Sequence, residues 1–239
     1  MEKLDTAWID KHKNVFSKKA SLQFYYLNVF AKMLRREFVA GRILEIGSGP
    51  GFLSNIAEDI TTSDIYEHPS IQVTCDAHAL PFEDEAFNNV FFVDVLHHLR
   101  APGTVFKEIS RVLPPGGRLI MIEPYTTPLS RIFYKYLHHE GCYGIKDVWE
   151  KAFPADKDPM SGNAEIPRTC LESYDNSWGL KLKKIELFAG PSYLLTGGFQ
   201  SWQLPLALIK ALLKLEKLTA PLWSKLAATR CLAVFEKRK

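Results

Sequence analysis

The chain has 239 residues, 46% hydrophobic and 24% charged, which suits one globular domain with a sizeable core and excludes a disordered or fibrous protein. Thirty Lys and Arg against 27 Asp and Glu leave a formal net charge of +3, which makes no nucleic-acid footprint by itself. Cys75, Cys142, Cys170 and Cys231 lie far apart with no CxxC pair, so neither a zinc ribbon nor a disulfide framework is supported. No run of 18 apolar residues occurs, and the polar start MEKLDTAWIDKHKN lacks the apolar core of a signal peptide; a cytoplasmic location is the expectation.

Leu22, Tyr25, Tyr26, Val29, Phe30, Met33 and Leu34 recur at helical steps and predict an amphipathic helix ending near Gly41. RILEIG then reads as a strand, followed by a glycine turn, a helical run FLSNIAED and a short strand ITTS that closes at Asp64. The pattern continues with strands IQVTC and NVFFVD, the helix VFKEISRVL stopped by Pro-Pro-Gly-Gly, and the strand RLIMIE. Near-continuous apolar strands alternating with helices imply a parallel sheet covered on both faces, with function at the carboxyl ends of its strands. Only the six residues IYEHPS separate Asp64 from Ile71, so the crossover helix there shrinks to a loop. From Pro124 to about Gly179 the alternation fails, which predicts an inserted cap. KLKKIELF and TRCLAVFE then read as strands on either side of a long helix from about Gln203 to Leu218. One domain results, with an N-terminal helical segment (1–40), a core (41–124), a cap insertion (125–179) and a C-terminal return to the sheet (180–239).

The turn itself runs Gly47, Ser48, Gly49, Pro50, Gly51. A strand that ends in glycines leaves the backbone bare enough to approach an anionic or carboxylate group. Dinucleotide-binding turns carry a third glycine three residues after the second, and Phe52 stands there instead, which argues against a nicotinamide cofactor.

Glu45 with this GxGxG spacing resembles motif I of class I S-adenosylmethionine (SAM) dependent methyltransferases. Asp64, then CDAHALPFEDEAFNNVFFVDVLHHLRAP, then VFKEISRVLPPGGRLIMIEP are similar to the successive motifs of its small-molecule branch, which includes the ubiquinone and menaquinone C-methyltransferases. The resemblance covers residues 41 to 124. It implies an α/β, Rossmann-like fold: a seven-stranded, mostly parallel sheet with an antiparallel last strand and helices on both faces, here with a cap insertion after the fifth strand. It also implies SAM as cofactor, with S-adenosylhomocysteine as product. Gly47, Ser48, Gly49 and Gly51 would lie beneath the methionine part, and Glu45 would hold the turn and reach the ammonium. Asp64 would take the ribose, Asp76 and the backbone of Ala77 the adenine edge, and Asp94 and Val95 the methionine side. Ile65 and Tyr66 would substitute for the residues of the shortened segment. Each carboxylate has an alternative as an N-cap or turn former. The implied activity is in-line methyl transfer to an unidentified small-molecule acceptor; the alternative is a non-catalytic SAM-binding or interaction protein. Nucleic acid is not the expected partner, since VDVL stands where an NPPY-type motif would be.

A base is needed only for a hydroxyl or acidic-carbon acceptor, and His97 and His98, after the fourth strand, are the candidates by location and by their near-neutral pKa; packing is the competing role. Glu123 and Tyr125 either face the acceptor or anchor the insertion. His138, His139, Glu140 and Cys142 invite a metal reading, but the segment lacks the i, i+4 pairing of helical zinc sites, so no metal is expected. Tyr134, Tyr136 and Tyr143 are expected to line or close the acceptor pocket, and PADKDPMSGNAEIP to form a lid. On the 203–218 helix, Lys210, Lys214 and Lys217 share one face beside apolar Leu208, Leu212 and Leu215. Such a helix makes a peripheral membrane contact or, preferred here, packs on the sheet with its lysines in solvent. Oligomeric state is left open.

Overall fold

The computed structural model describes residues 6–239 except Glu58, His139 and Ala155. Seven strands, β1 (Ile43–Ile46), β2 (Ile60–Asp64), β3 (Val73–Thr74), β4 (Asn89–Val93), β5 (Arg118–Pro124), β6 (Leu180–Phe188) and β7 (Arg230–Lys237), form one sheet in the order β3-β2-β1-β4-β5-β7-β6. The first five pair in parallel, and β7 lies antiparallel between β5 and β6. The chain leaves β1 towards β2 on one side and returns to β4 on the other. A crevice therefore opens at the carboxyl ends of β1 and β4, where such sheets bind ligands.

The central strands are buried on both faces, as their apolar runs imply. Val90, Phe92, Leu119 and Met121 join one core with Phe106 of α3 (Pro102–Val112) and Ile166 of α5 (Glu165–Ser173). Phe91, Ile120, Ile122, Leu232 and Val234 join the other with Leu22, Tyr25 and Phe30 of α2 (Ala20–Arg36). Each fully buried aromatic or aliphatic side chain contributes roughly 1.5–3 kcal/mol, so alternate residues of one strand stabilise two separate layers. On β1, Ile43 points to the second layer and Leu44 and Ile46 to the first, which puts Glu45 on the α2 side.

Three expectations change. The helix expected over Leu22–Leu34 is α2, ending at Arg36 and not near Gly41, and a second helix, α1 (Ala7–Lys18), precedes it across a break at Lys19, whose ammonium is withdrawn from solvent to donate to the carbonyls of Gly198, Gln200 and Trp202. FLSNIAED makes only a 3-10 turn, Leu53–Asn55. Residues 52–59 are too few for an α-helix with its two loops, and Phe52 instead stacks on Phe16 of α1 at 3.9 Å. No α-helix therefore follows the glycine turn directly. The third change is α7 (Leu206–Ala227), which runs past Leu218 with Pro221 inside it and buries Ile209, Leu213 and Glu216. Leu208 and Leu215 face outward, and Leu218 and Leu222 are 71% and 86% exposed.

Residues 125–179 carry α4 (Pro128–Tyr136) and α5. A capping box starts α4: the Thr127 hydroxyl accepts from the Ser130 N–H, and the Ser130 hydroxyl accepts from the Thr127 N–H. The return from β6 to β7 passes through α6 (Pro191–Leu194) and α7.

Candidate functional site

A cavity of about 270 Å³ occupies the crevice, with Glu45, Gly47, Ser48 and Gly49 on one wall and Asp94, His97 and His98 on the other. A larger cleft of about 490 Å³ between α2, β6 and α7 shares none of its lining residues and none of the glycine turn.

Glycine is required at position 47 twice over: its φ is +68°, and a Cβ there would sit 2.5 Å from Cγ2 of Val95. Gly49, with φ +46°, donates its N–H to Oδ2 of Asp64 at 2.8 Å, and Oδ1 of Asp64 accepts from the Tyr66 N–H at 3.2 Å. Asp64 is thus the clasp that fixes the turn across β1 and β2. Burial raises its pKa, and the N–H groups of Gly49, Tyr66 and Ile65 oppose that rise.

Glu45 is 4% exposed and its Oε2 has no hydrogen-bond partner. Burial pushes its carboxyl up to about 8; the bond with Ser48 opposes this, and the charge of Asp64 adds to it. An unpartnered buried acceptor on a cavity wall is costly unless a donor, best a cation, arrives to meet it.

Beyond β4, Asp94 takes φ +61° and pairs with Arg230 of β7, whose side chain is 3% exposed. Glu123, fully buried at the end of β5, accepts the N–H groups of Val95 and Leu96 at 2.8 and 2.7 Å and holds Nδ1 of His97 at 2.8 Å. It therefore anchors the turn that carries both histidines. Tyr125 turns aside, with its hydroxyl 3.3 Å from Glu172. Nε2 of His97 lies 3.5 Å from Oε1 of Glu140. Burial lowers the His97 pKa, but Glu140 and Glu123 outweigh it and lift it to about 10, so the ring is an imidazolium and no proton acceptor. His98 goes the other way, down to about 4, through burial and the His97 charge. Its Nδ1 donates to the Pro159 carbonyl at 2.9 Å, which leaves Nε2 as the nitrogen with the lone pair.

Among the expected site residues, Glu45, Gly47, Ser48, Gly49, Asp94, His97 and His98 meet at this cavity. Asp64 and Val95 support it from behind. Gly51 (φ +71°), Ile65 and Ala77 lie outside its lining, as does Asp76, which is paired with His78 at 2.6 Å. Tyr134 lines the cavity; Tyr136, 69% exposed, does not. His139 lies outside the described residues. Sequence reasoning did not single out Trp8, Tyr193, Phe199 or Arg230, all of which line the cavity. Arg230 had a signal, a charge at the edge of the apolar run CLAVF; Trp8, whose ring would lie 3.1 Å from a Cβ on Gly49, had none.

Residues 44–121 match the family model described as a methyltransferase domain. Over that stretch, which runs from β1 into β5, the chain is similar to methyltransferases. Among curated proteins it is similar to the ubiquinone/menaquinone biosynthesis C-methyltransferase of Desulfotalea psychrophila, 30% identical over 115 residues, covering 48% of this chain and 44% of that protein. It is also similar to the sterol 4-C-methyltransferase of Caenorhabditis elegans, 35% identical over 127 residues, covering 51% of this chain and 37% of that protein. The chain thus spans less than half the length of the curated relatives it matches. A solved SAM-dependent methyltransferase from Thermotoga maritima shares the fold at a TM-score of 0.55 and 17% identity, over 98% of both chains. SAM is the cofactor of this domain class, and the unpartnered Glu45 oxygen beside the bare Gly47 backbone suits its methionine ammonium and carboxylate.

Proposed function

We propose that the chain transfers a methyl group from SAM to a small-molecule acceptor. The observation that carries this reading is the unpartnered Oε2 of Glu45 at a cavity whose opposite wall bears His97, His98 and Asp94. When bound, SAM supplies a methyl group on a sulfonium whose departure leaves a neutral thioether. Glu45 would receive the ammonium, and Gly47, Ser48, Gly49 and Gly51 the rest of the methionine part. Asp64 would take the ribose, and Ile65, Asp76 and Ala77 would flank the adenosine. Since a thioether leaves without protonation, the protein's main tasks are alignment and exclusion of water. His97, charged and tied at both nitrogens, orients the wall, while His98 keeps a lone pair that can accept an acceptor proton.

The outward leucines of α7, interspersed with exposed Lys210, Lys214, Lys217 and Lys225, favour a lipophilic acceptor reached by peripheral contact with an anionic membrane surface from the cytoplasm. Two curated relatives, a ubiquinone/menaquinone biosynthesis C-methyltransferase and a sterol 4-C-methyltransferase, are named for acceptors of this class. No helix among the described residues is long and apolar enough to cross a membrane. The test is a screen of cell extracts and lipid fractions with methyl-labelled SAM, comparing the wild type with His98→Ala. Label in a lipid fraction that drops by about 10²-fold or more in the variant supports the reading. SAM binding without label in any fraction would favour the non-catalytic alternative instead.

A further inference from the structure

The segment around Glu140 lacks a metal-binding pattern of its own, but the fold supplies what it lacks from elsewhere in the chain. Glu140 lies against the 3-10 turn Leu96–His98 that follows β4. One donor atom each from His97, His98 and Glu140 lies within 4.8 Å of the others. We propose that His97, His98 and Glu140 form a binding site for a divalent transition-metal cation, zinc by its nitrogen and carboxylate donors. The ion would present an open position to an oxygen of the bound acceptor.

The spacing of His97 and Glu140, an ion pair in the metal-free chain, also fits two ligands around one ion. Nε2 of His97 is 3.5 Å from Oε1 of Glu140, longer than the ~2.7–3.2 Å of an ordinary N–H···O bond. Two ligands of a tetrahedral zinc with bonds of ~2.0–2.1 Å sit about 3.4 Å apart. His138, whose Nδ1 accepts the Glu140 N–H at 3.3 Å, stands outside this set and steadies the Glu140 backbone.

Both histidines on the turn are also held as metal ligands are held. Nδ1 of His97 donates to Glu123, itself fixed by the N–H groups of Val95 and Leu96, and Nδ1 of His98 donates to the Pro159 carbonyl. Such ties at the far nitrogen set the tautomer and aim Nε2; the ion would displace the His97 Nε2 proton to solvent and would take up the His98 lone pair, polarising the acceptor oxygen in place of that base. A second grouping, Asp94, His97 and Glu123, is less suited, because Asp94 is committed to Arg230 and Glu123 to three donors. Cys142 is excluded from the site, its Sγ lying 3.7 Å from Glu165. His97, His98, His138 and Glu140 all line the cavity that holds Glu45 and Gly47. The metal site stands on this geometry; only its use, holding an acceptor oxygen where the methyl arrives, rests on the methyl-transfer reading.

The test uses the whole purified chain, stripped with a chelator and titrated with zinc alone by calorimetry and with cobalt by visible absorption. Thermal melts are recorded on the same samples. The expected result is one equivalent of zinc and intense cobalt bands of a four-coordinate nitrogen and oxygen site. Glu140→Gln should weaken zinc by about 100-fold or more while its cooperative thermal melt is retained. Absence of stoichiometric binding, or zinc binding by Glu140→Gln equal to that of the wild type, overturns the proposal. Because Glu140→Gln keeps the size of the side chain and its melt reports folding, loss of zinc cannot be confused with loss of structure; because zinc is titrated alone, the result is separate from the SAM reading.

Discussion

Replacing Glu45 by glutamine should make the unliganded protein more stable and its SAM binding weaker. The folded carboxyl is held at about 8 against an ordinary 4.5, chiefly by burial. Between those values the folded state binds more protons than the unfolded chain, so stability falls as pH rises through the window. The full displacement corresponds to about 5 kcal/mol above pH 8, and to about 3 kcal/mol at pH 7. Glutamine never ionises and avoids that loss, but it weakens the bond with Ser48, worth about 1 kcal/mol. A net gain of about 2 kcal/mol remains, which for a chain of this size raises Tm by roughly 4–8 °C. The ammonium of SAM, deprived of a charged partner, loses about 1.5–3 kcal/mol, or roughly 10- to 150-fold in affinity. In the wild type, SAM must also displace the Glu45 proton, so its affinity should climb by up to tenfold per pH unit below about 8; in the variant that slope should vanish. Thermal melts and calorimetric titrations from pH 6 to pH 9 measure both effects. A Glu45→Gln protein that melts lower at pH 8 and binds SAM like the wild type would refute the reasoning and leave Glu45 as a structural support of the turn.

Gly47→Ala combines a φ of +68° with a contact of 2.5 Å to Val95; a loss of about 2–4 kcal/mol is expected in denaturant melts, partly recovered by Val95→Ala in the same chain. His97, raised to about 10 from an ordinary 6.5, contributes stability that is complete below pH 6.5 and is lost as pH rises through 10. His97→Gln should therefore cost most at low pH and least above pH 10, and a pH-independent difference in Tm would contradict the assigned charge. On α7, Leu218→Asp with Leu222→Asp should change stability by less than about 0.5 kcal/mol, because both side chains are already in water. The same pair should abolish co-sedimentation with anionic vesicles, and unchanged sedimentation would remove the membrane contact.

Much of the fold was legible because its signals are local. NVFFV, RLIMIEP and RCLAVFEK each alternate side chains into two apolar layers, so uninterrupted apolar runs could only be central strands. The glycine turn was legible for the same reason: Gly47 answers to its own φ and to Val95, which the next motif supplies. Two elements failed on length and partnership. Residues 52–59 had helical composition but too little chain, and the inward side of α7 was decided by what it packs on, not by its own period. The cavity wall that bears Asp94 and His97 was the least legible part. Arg230 meets Asp94, and Glu140 meets His97, only after the sheet is built, and no spacing within either segment announces those pairs. Trp8 reaches Gly49 because α1 folds back over the turn, across ground that a longer helix after the turn would have filled.

The most direct test of the central claim is calorimetric titration with SAM and S-adenosylhomocysteine of the wild type and of Asp64→Ala. Asp64 clasps Gly49 and is the expected ribose partner, so micromolar binding by the wild type that falls by at least about 100-fold in the variant is the predicted result. Absence of binding by the wild type to either ligand, or equal binding by Asp64→Ala, would contradict the assignment of this crevice as the SAM site.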